Sequence, residues 1–223
     1  MLIVIEGLDG SGKSTQVAKT IDYLTGRSGS RPEYLHFPRF DAPVVGEMIA
    51  RFLRGGFGKM EDVHPMIVAL LFAEDRRDAA PLIRKWLDMG KTVLLDRYVY
   101  SNVAFQCAKT ASASESRSLE DWILRTEYGV YGIPRPDLNI FLDVPLSFVS
   151  GRLREHRSGA DREYLHGEQD IHEADMGFQS RVREVYLRLC RRDPSFLRID
   201  CTDAEGRMPP EDEVFGKIRE VLP

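Results

Sequence analysis

The sequence predicts an α/β fold, a five-stranded parallel sheet with helices on both faces. Three observations carry the prediction. Short apolar runs of strand character recur along the 223 residues, longer helical patterns separate them, and a glycine-rich segment, GLDGSGKS at Gly7 to Ser14, joins the first run to the first helix. Buried strands linked by helical crossovers give a parallel sheet covered on both sides.

The elements follow in order. Leu2 to Glu6 is an apolar run of strand character, and after the glycine-rich turn Val17, Ile21 and Leu24 recur at helical spacing. Tyr34 to Phe37 is the second strand. Pro65 opens a helix running to Trp86, with Ile67, Leu70, Leu71 and Phe72 early and Leu82, Ile83 and Trp86 late as its packing face, and Gly90 as its stop. Thr92 to Asp96 is the third strand. Ser118, three residues before Asp121, resembles a capping box with Asp in place of Glu or Gln, opening a helix that carries Trp122, Ile123 and Leu124. Leu138 to Val144 is the fourth strand, a helix spans about 171–189, and Phe196 to Cys201 is the fifth strand. Weak order is expected at 26–32, 55–58 and 156–169. No shift in composition marks a boundary, so residues 1–223 read as one domain.

Composition excludes several classes. Hydrophobic residues make up 43% and charged residues 30%, with a net charge of −4, so no basic surface is available for duplex nucleic acid. Cys107, Cys190 and Cys201 are odd in number and lack C-x-x-C spacing, which argues against a disulfide framework or a zinc site. They read as core fillers in a reducing compartment. The apolar N-terminal run enters the glycine-rich loop at once, leaving no room for a signal peptide, and no later stretch could span a bilayer, so a cytoplasmic protein is expected.

The chemistry concentrates in three places. Gly7, Leu8, Asp9, Gly10, Ser11, Gly12, Lys13, Ser14 and Thr15 hold the pattern G-x-x-x-x-G-K-[ST] and the residue after it. Its glycines let backbone N–H groups wrap phosphates, its Lys13 reaches the β/γ-phosphates, and its Ser14 can ligate Mg²⁺. A strand before it and a helix after it place the loop where the helix dipole favours anions. The second place is Asp96-Arg97-Tyr98 at a strand end, where a carboxylate can stand near a metal ion and its water, and an arginine can grip phosphoryl oxygens bidentately. Ser14, Asp96 and Asp9 are the candidate metal ligands. The third is the arginine run from Arg152 to Arg162, within a lid-like segment at about 152–169. Arginines that close over a transferred phosphoryl group stabilise its charge. Arg157 and Arg162 suit that role best; Arg152 and Arg154 fit a solvated helix face equally well. Arg181, Arg183, Arg188, Arg191 and Arg192 read as surface.

These segments carry a resemblance. IEGLDGSGKST at 5 to 15, FPRF at 37 to 40, LLFAEDR at 70 to 76, DRYVYSNVAFQCAK at 96 to 109, PDLNIFLDVP at 136 to 145 and DIHEAD at 170 to 175 resemble the thymidylate kinases, within the nucleoside monophosphate kinases, over essentially the whole chain. The resemblance implies a P-loop fold with a lid and Mg²⁺-assisted transfer of the γ-phosphoryl group of ATP to dTMP, giving dTDP and ADP for dTTP synthesis, by a homodimer. It implies that the loop holds ATP while Asp9 lies near the acceptor sugar and phosphate, and that Arg39 and Arg97 hold the acceptor phosphate. Phe72 is similar to the aromatic that stacks on thymine, with Phe37 nearby, and Arg76 to the side chain that bonds its carbonyl edge. Asn102 and Gln106 face the base, and Phe105 crowds the sugar 2′ position. The adenine pocket is marked only by Thr202 and Asp203.

One departure bears on mechanism. Some members carry a basic residue among the variable loop positions, which here are Leu8, Asp9, Gly10 and Ser11. The catalytic charge is therefore expected from the lid, as it is from an arginine supplied in cis. Arg157→Ala or Arg162→Ala, whichever residue is responsible, is expected to lower kcat by roughly 10²-fold with KM for dTMP little changed; wild-type rates in both single variants and the double variant would remove the idea. Two other classes fit the sequence less well. A regulatory GTPase relies on an N-K-x-D segment, which does not occur here. A non-catalytic nucleotide-binding protein does not require Lys13, Asp96, Arg97 and the lid arginines together.

Overall fold

Five parallel strands form one sheet in the order β2-β3-β1-β4-β5 in the computed structural model of the chain. They are β1 (Leu2–Gly7), β2 (Glu33–His36), β3 (Val93–Asp96), β4 (Leu138–Asp143) and β5 (Phe196–Asp200). The structure describes residues 1–154, 165, 170–173 and 175–223. Every residue of β1 and β3 is buried, as continuous apolar runs flanked by strands on both sides must be. The edge strands differ from expectation. β2 is only partly buried and β5 alternates, because each has one neighbour and incomplete helix cover.

Around the sheet stand α1 (Lys13–Ser28), α2 (Val45–Leu53), α3 (Pro65–Asp88), α4 (Val99–Cys107), α5 (Ala113–Leu124), α6 (Leu146–Arg154), α7 (Met176–Arg192) and α8 (Glu211–Arg219). The core beneath them includes Ile3, Val4, Ile5, Leu94, Leu95, Ile140 and Phe141, none more than 1% exposed. Each such aliphatic side chain contributes roughly 1.5–3 kcal/mol on burial. Register sets Ile5 opposite Asp96 and Glu6 opposite Phe141, so the carboxyl ends of β1 and β3 finish side by side. The chain lays β2 and β3 on one side of β1, then β4 and β5 on the other, and ligands of such sheets bind where the order reverses.

Three helix expectations need correction. The cap of α5 is Ser112, whose hydroxyl accepts from Glu115 N at 3.2 Å; Ser118 lies inside the helix. Residues 171–173 form a turn, and α7 starts later, capped by Asp175 through Gly177 N. In α3 the buried stripe is Val68, Ala69, Ala73, Asp75, Arg76, Ala80 and Ile83, while Ile67, Leu70 and Leu82 face outward. A buried arginine and aspartate hold positions that periodicity alone gives to aliphatics.

Candidate active site

A cleft of about 1540 Å³ opens where the ends of β1 and β3 meet. Its walls bring together Asp9 to Thr15, Phe37, Arg39, Phe72, Arg76, Asp96, Arg97, Asn102, Phe105 and Gln106, residues drawn from five separate stretches of sequence. Gly7 and Leu8 lie beneath as the root of the loop, both buried. Arg157 and Arg162 fall outside the described residues, as does most of the expected lid; Arg152 and Arg154 are exposed at the end of α6, and Arg152 reaches the cleft.

The loop is shaped for an anion. Gly10 and Gly12 take φ of +70° and +79°, a left-handed conformation that other residues adopt only with strain. At Gly10 a Cβ would also press within 3.3 Å of Arg152 Cβ and Leu153 Cδ2. Gly12 caps α1 without a side chain and no acid stands in the first turn, so the helix N–H groups stay available. Lys13 lies along the loop and donates to Leu8 O at 2.9 Å. Burial, with the charge of Arg97 adding to it, pulls its ammonium pKa down to about 8. Ser14 and Thr15 are exposed at the helix start.

Arg97 ties this loop to α4. Its backbone is left-handed (φ 67°), a strain that marks functional positions. Its Nη1 donates to Gly7 O at 2.8 Å and Ser101 Oγ at 3.1 Å, its Nη2 donates to Asp9 Oδ1 at 2.6 Å, and the guanidinium lies 5.1 Å from the Phe105 ring centroid. Burial opposes the charge, and Asp9, Asp96 and Glu6 outweigh it, so its pKa is raised. The other oxygen of Asp9 accepts from Gln179 Nε2 at 2.9 Å. Protein donors thus engage both carboxylate oxygens of Asp9. Asp96 is different: one oxygen lies 3.2 Å from His36 Nδ1, and the other, Oδ1, is buried without a partner. Burial works against its ionisation, but His36, Lys13 and Arg97 prevail and hold its pKa below the usual carboxylate value. An orphaned carboxylate oxygen in the same cleft as the exposed Ser14 fits a hydrated divalent ion carried in with phosphates.

Opposite the loop, Arg39 follows a cis Phe37–Pro38 bond and is held by Asp75 (Nε to Oδ1, 2.8 Å) and Asp78 (Nη2 to Oδ2, 2.7 Å). Phe72 is half-buried against Ile49, Phe52, Leu53 and Val68. Arg76 is 2% exposed and bidentate to Glu127, and Asn102 donates to Glu127 as well. Gln106 accepts from Lys109. Thr202 and Asp203 are not brought to the cleft, since their side chains bond Asp200 and Arg207 in their own loop.

Sequence reading missed the supports of these groups. Glu6, fully buried, accepts from Tyr98 N at 2.9 Å, Ser101 N at 3.1 Å and Tyr186 OH at 3.1 Å, fixing the start of α4. Gln179, Asp75 and Glu127 were also silent, and only the polar character of an otherwise buried stripe marks them. Arg183 and Arg188, read as surface, are instead half-buried against the buried Asp143 and Glu120, while Arg192 is exposed as read and also reaches Glu120.

Known proteins share the sequence and the fold of this chain. Human thymidylate kinase is 38% identical over 151 residues, covering 68% of this chain and 64% of that protein. The thymidylate kinase structure from Candida albicans superposes with a TM-score of 0.70 at 27% identity, over 99% of this chain and 89% of that one. The thymidylate kinase structure from Ehrlichia chaffeensis shares the fold, with a TM-score of 0.64 at 21% identity, over 100% of this chain and 98% of that one. The thymidylate kinase family model matches residues 5–208, and the chain belongs to that family.

Proposed function

We propose that the chain transfers the γ-phosphoryl group of ATP to the 5′-phosphate of dTMP. The observation that carries the reading is Arg97, whose one guanidinium bonds both the phosphate loop, at Gly7 and Asp9, and α4 on the acceptor side, at Ser101. Donor and acceptor phosphates set at such a joint meet end to end, and a phosphoryl group in transit needs little beyond alignment and positive charge. The acceptor oxygen is already ionised near neutral pH, so no protein base is required. Lys13 and the α1 N–H groups hold the donor phosphates; Arg39 and Arg97 hold the acceptor phosphate; Phe72, Arg76, Asn102 and Gln106 hold the base; Phe105 lies against the sugar. Ser14 and Asp96 would hold Mg²⁺, which would supply positive charge against the negative charge that gathers on the phosphates.

The three cysteines are free, which supports a reducing, cytoplasmic setting, and no described helix is long and apolar enough to cross a membrane. A homodimer has support in the outward apolar side chains Ile67 (60% exposed), Leu70 (37%) and Leu82 (40%) of α3.

ADP release with a panel of nucleoside monophosphates tests the reading. Turnover confined to dTMP is expected; turnover with another monophosphate moves the chain to a neighbouring specificity, and none at all leaves a binding protein.

The depressed pKa of Lys13 gives a pH dependence. At about 8 in the free protein, the ammonium loses its proton well below the usual value of about 10.4. Bound polyphosphate favours the charged form and raises that pKa again. The Lys13 contribution to ATP affinity is therefore complete well below pH 8 and is lost above it, by up to about tenfold per pH unit. Titration calorimetry at pH 9 in buffers of different ionisation enthalpy is expected to show proton uptake on ATP binding, absent in Lys13→Ala.

A further inference from the structure

Behind the base end of the cleft sits a carboxylate with no place in the chemistry above. Glu127 is wholly buried, lies on a π-helical turn (Arg125–Val130) that continues α5, and does not line the cleft. Such turns occur often at functional sites. Its Oε2 accepts from Arg76 Nε at 2.5 Å and its Oε1 from Arg76 Nη2 at 2.7 Å and from Asn102 Nδ2 at 2.9 Å. Asn102 Nδ2 also donates to Ala69 O at 2.9 Å, while Ile133 N donates to Glu127 O at 3.1 Å and pins the turn. One carboxylate therefore fixes two cleft side chains, Arg76 from α3 and Asn102 from α4, and adds to the Asn102–Ala69 bond between the two helices.

We propose that Glu127, which also holds Asn102, is the positioning residue for Arg76, and through Arg76 sets the preference of the site for an oxo over an amino group on the acceptor pyrimidine. The assignment rests on the phosphoryl-transfer reading above. A bidentate clamp on Nε and Nη2 leaves the Nη1 edge of Arg76 as its outward donor, rigid and unable to turn away. A 4-oxo group accepts from that edge. A 4-amino group has only hydrogens to offer a cation, and a clamped arginine cannot retreat from it. Stability alone is a poor reason for the pair, since buried ion pairs often gain nothing over apolar residues of similar size.

The test compares kcat/KM for dTMP and dCMP in the full chain. Glu127→Gln turns one amide N–H₂ toward the guanidinium and opens the clamp. It is expected to raise KM for dTMP about tenfold or more with kcat nearly unchanged, and to shrink the dTMP-over-dCMP preference about tenfold or more. Glu127→Asp keeps the carboxylate and is expected to keep the preference. Because the Gln variant strands a buried charge, the uncharged pair Arg76→Met/Glu127→Met is measured beside Arg76→Met. If Glu127 acts through Arg76, adding Glu127→Met to Arg76→Met leaves the preference between the two nucleotides where Arg76→Met put it. Wild-type preference in Glu127→Gln, or a further loss of preference in the double variant, overturns the assignment alone. A wild-type chain that turns over no pyrimidine monophosphate overturns the functional reading, and the assignment with it.

Discussion

Arg97→Ala is expected to lower kcat/KM for dTMP by about 10³-fold or more, with both parameters affected. The side chain makes three hydrogen bonds, two to the phosphate loop and one to α4, so its loss removes acceptor charge and the tie between the two halves of the site. Asp9 keeps only Gln179 and is left near the phosphates as an uncompensated anion. Arg97→Lys separates charge from geometry. A lysine preserves the charge but cannot span Gly7 O, Ser101 Oγ and Asp9 together, and it is expected to recover less than a tenth of the lost kcat/KM, on the order of the cost of losing fork geometry. Steady-state kinetics over both substrates check this; full rescue by lysine would show that charge alone is what the position supplies.

Lys13→Ala is expected to lower kcat by about 10²–10³-fold, while the chain stays as stable as before. Its ammonium is buried with one hydrogen bond, to Leu8 O, and its lowered pKa shows that burial disfavours its charge in the free protein. Removing it therefore sacrifices little folding energy. A thermal melt within a few degrees of wild type beside a collapse of kcat is the expected pair of results. A kcat within a few-fold of wild type would contradict the role, and a large fall in melting temperature would show that the lysine holds the loop rather than the phosphates.

Legibility of this site in the sequence follows from the range of the interactions. The phosphate loop is readable because its chemistry is contiguous: Gly10 and Gly12 need left-handed backbone, and Lys13 needs to sit at a helix start. The parallel sheet is readable because β1, β3 and β4 are buried on both faces and therefore run continuously apolar. By contrast, Arg76 meets Glu127 across 51 residues, and Asp9 meets Gln179 across 170. No periodicity encodes such pairings. In α3 the rule holds only in part: Leu71, Phe72, Ile83 and Trp86 pack inward as an apolar face should, but Asp75 and Arg76 are buried as well and Ile67 is exposed. Arg183 and Arg188 were misread for the same reason: a charged residue on a helix reads as solvated until its buried partner, Asp143 or Glu120, is known. The roles proposed for Arg39, Phe72 and Arg76 come from the family resemblance, and the cleft brings the three side chains together.

Transfer between two nucleotides held end to end is observed directly by ³¹P spectroscopy of the chain with ATP, dTMP and Mg²⁺. The expected spectrum gains the paired resonances of dTDP and ADP in equal amounts as dTMP and ATP disappear. Inorganic phosphate growing in with ADP while dTMP persists would contradict the account, since it would mean that the cleft delivers the phosphoryl group to water.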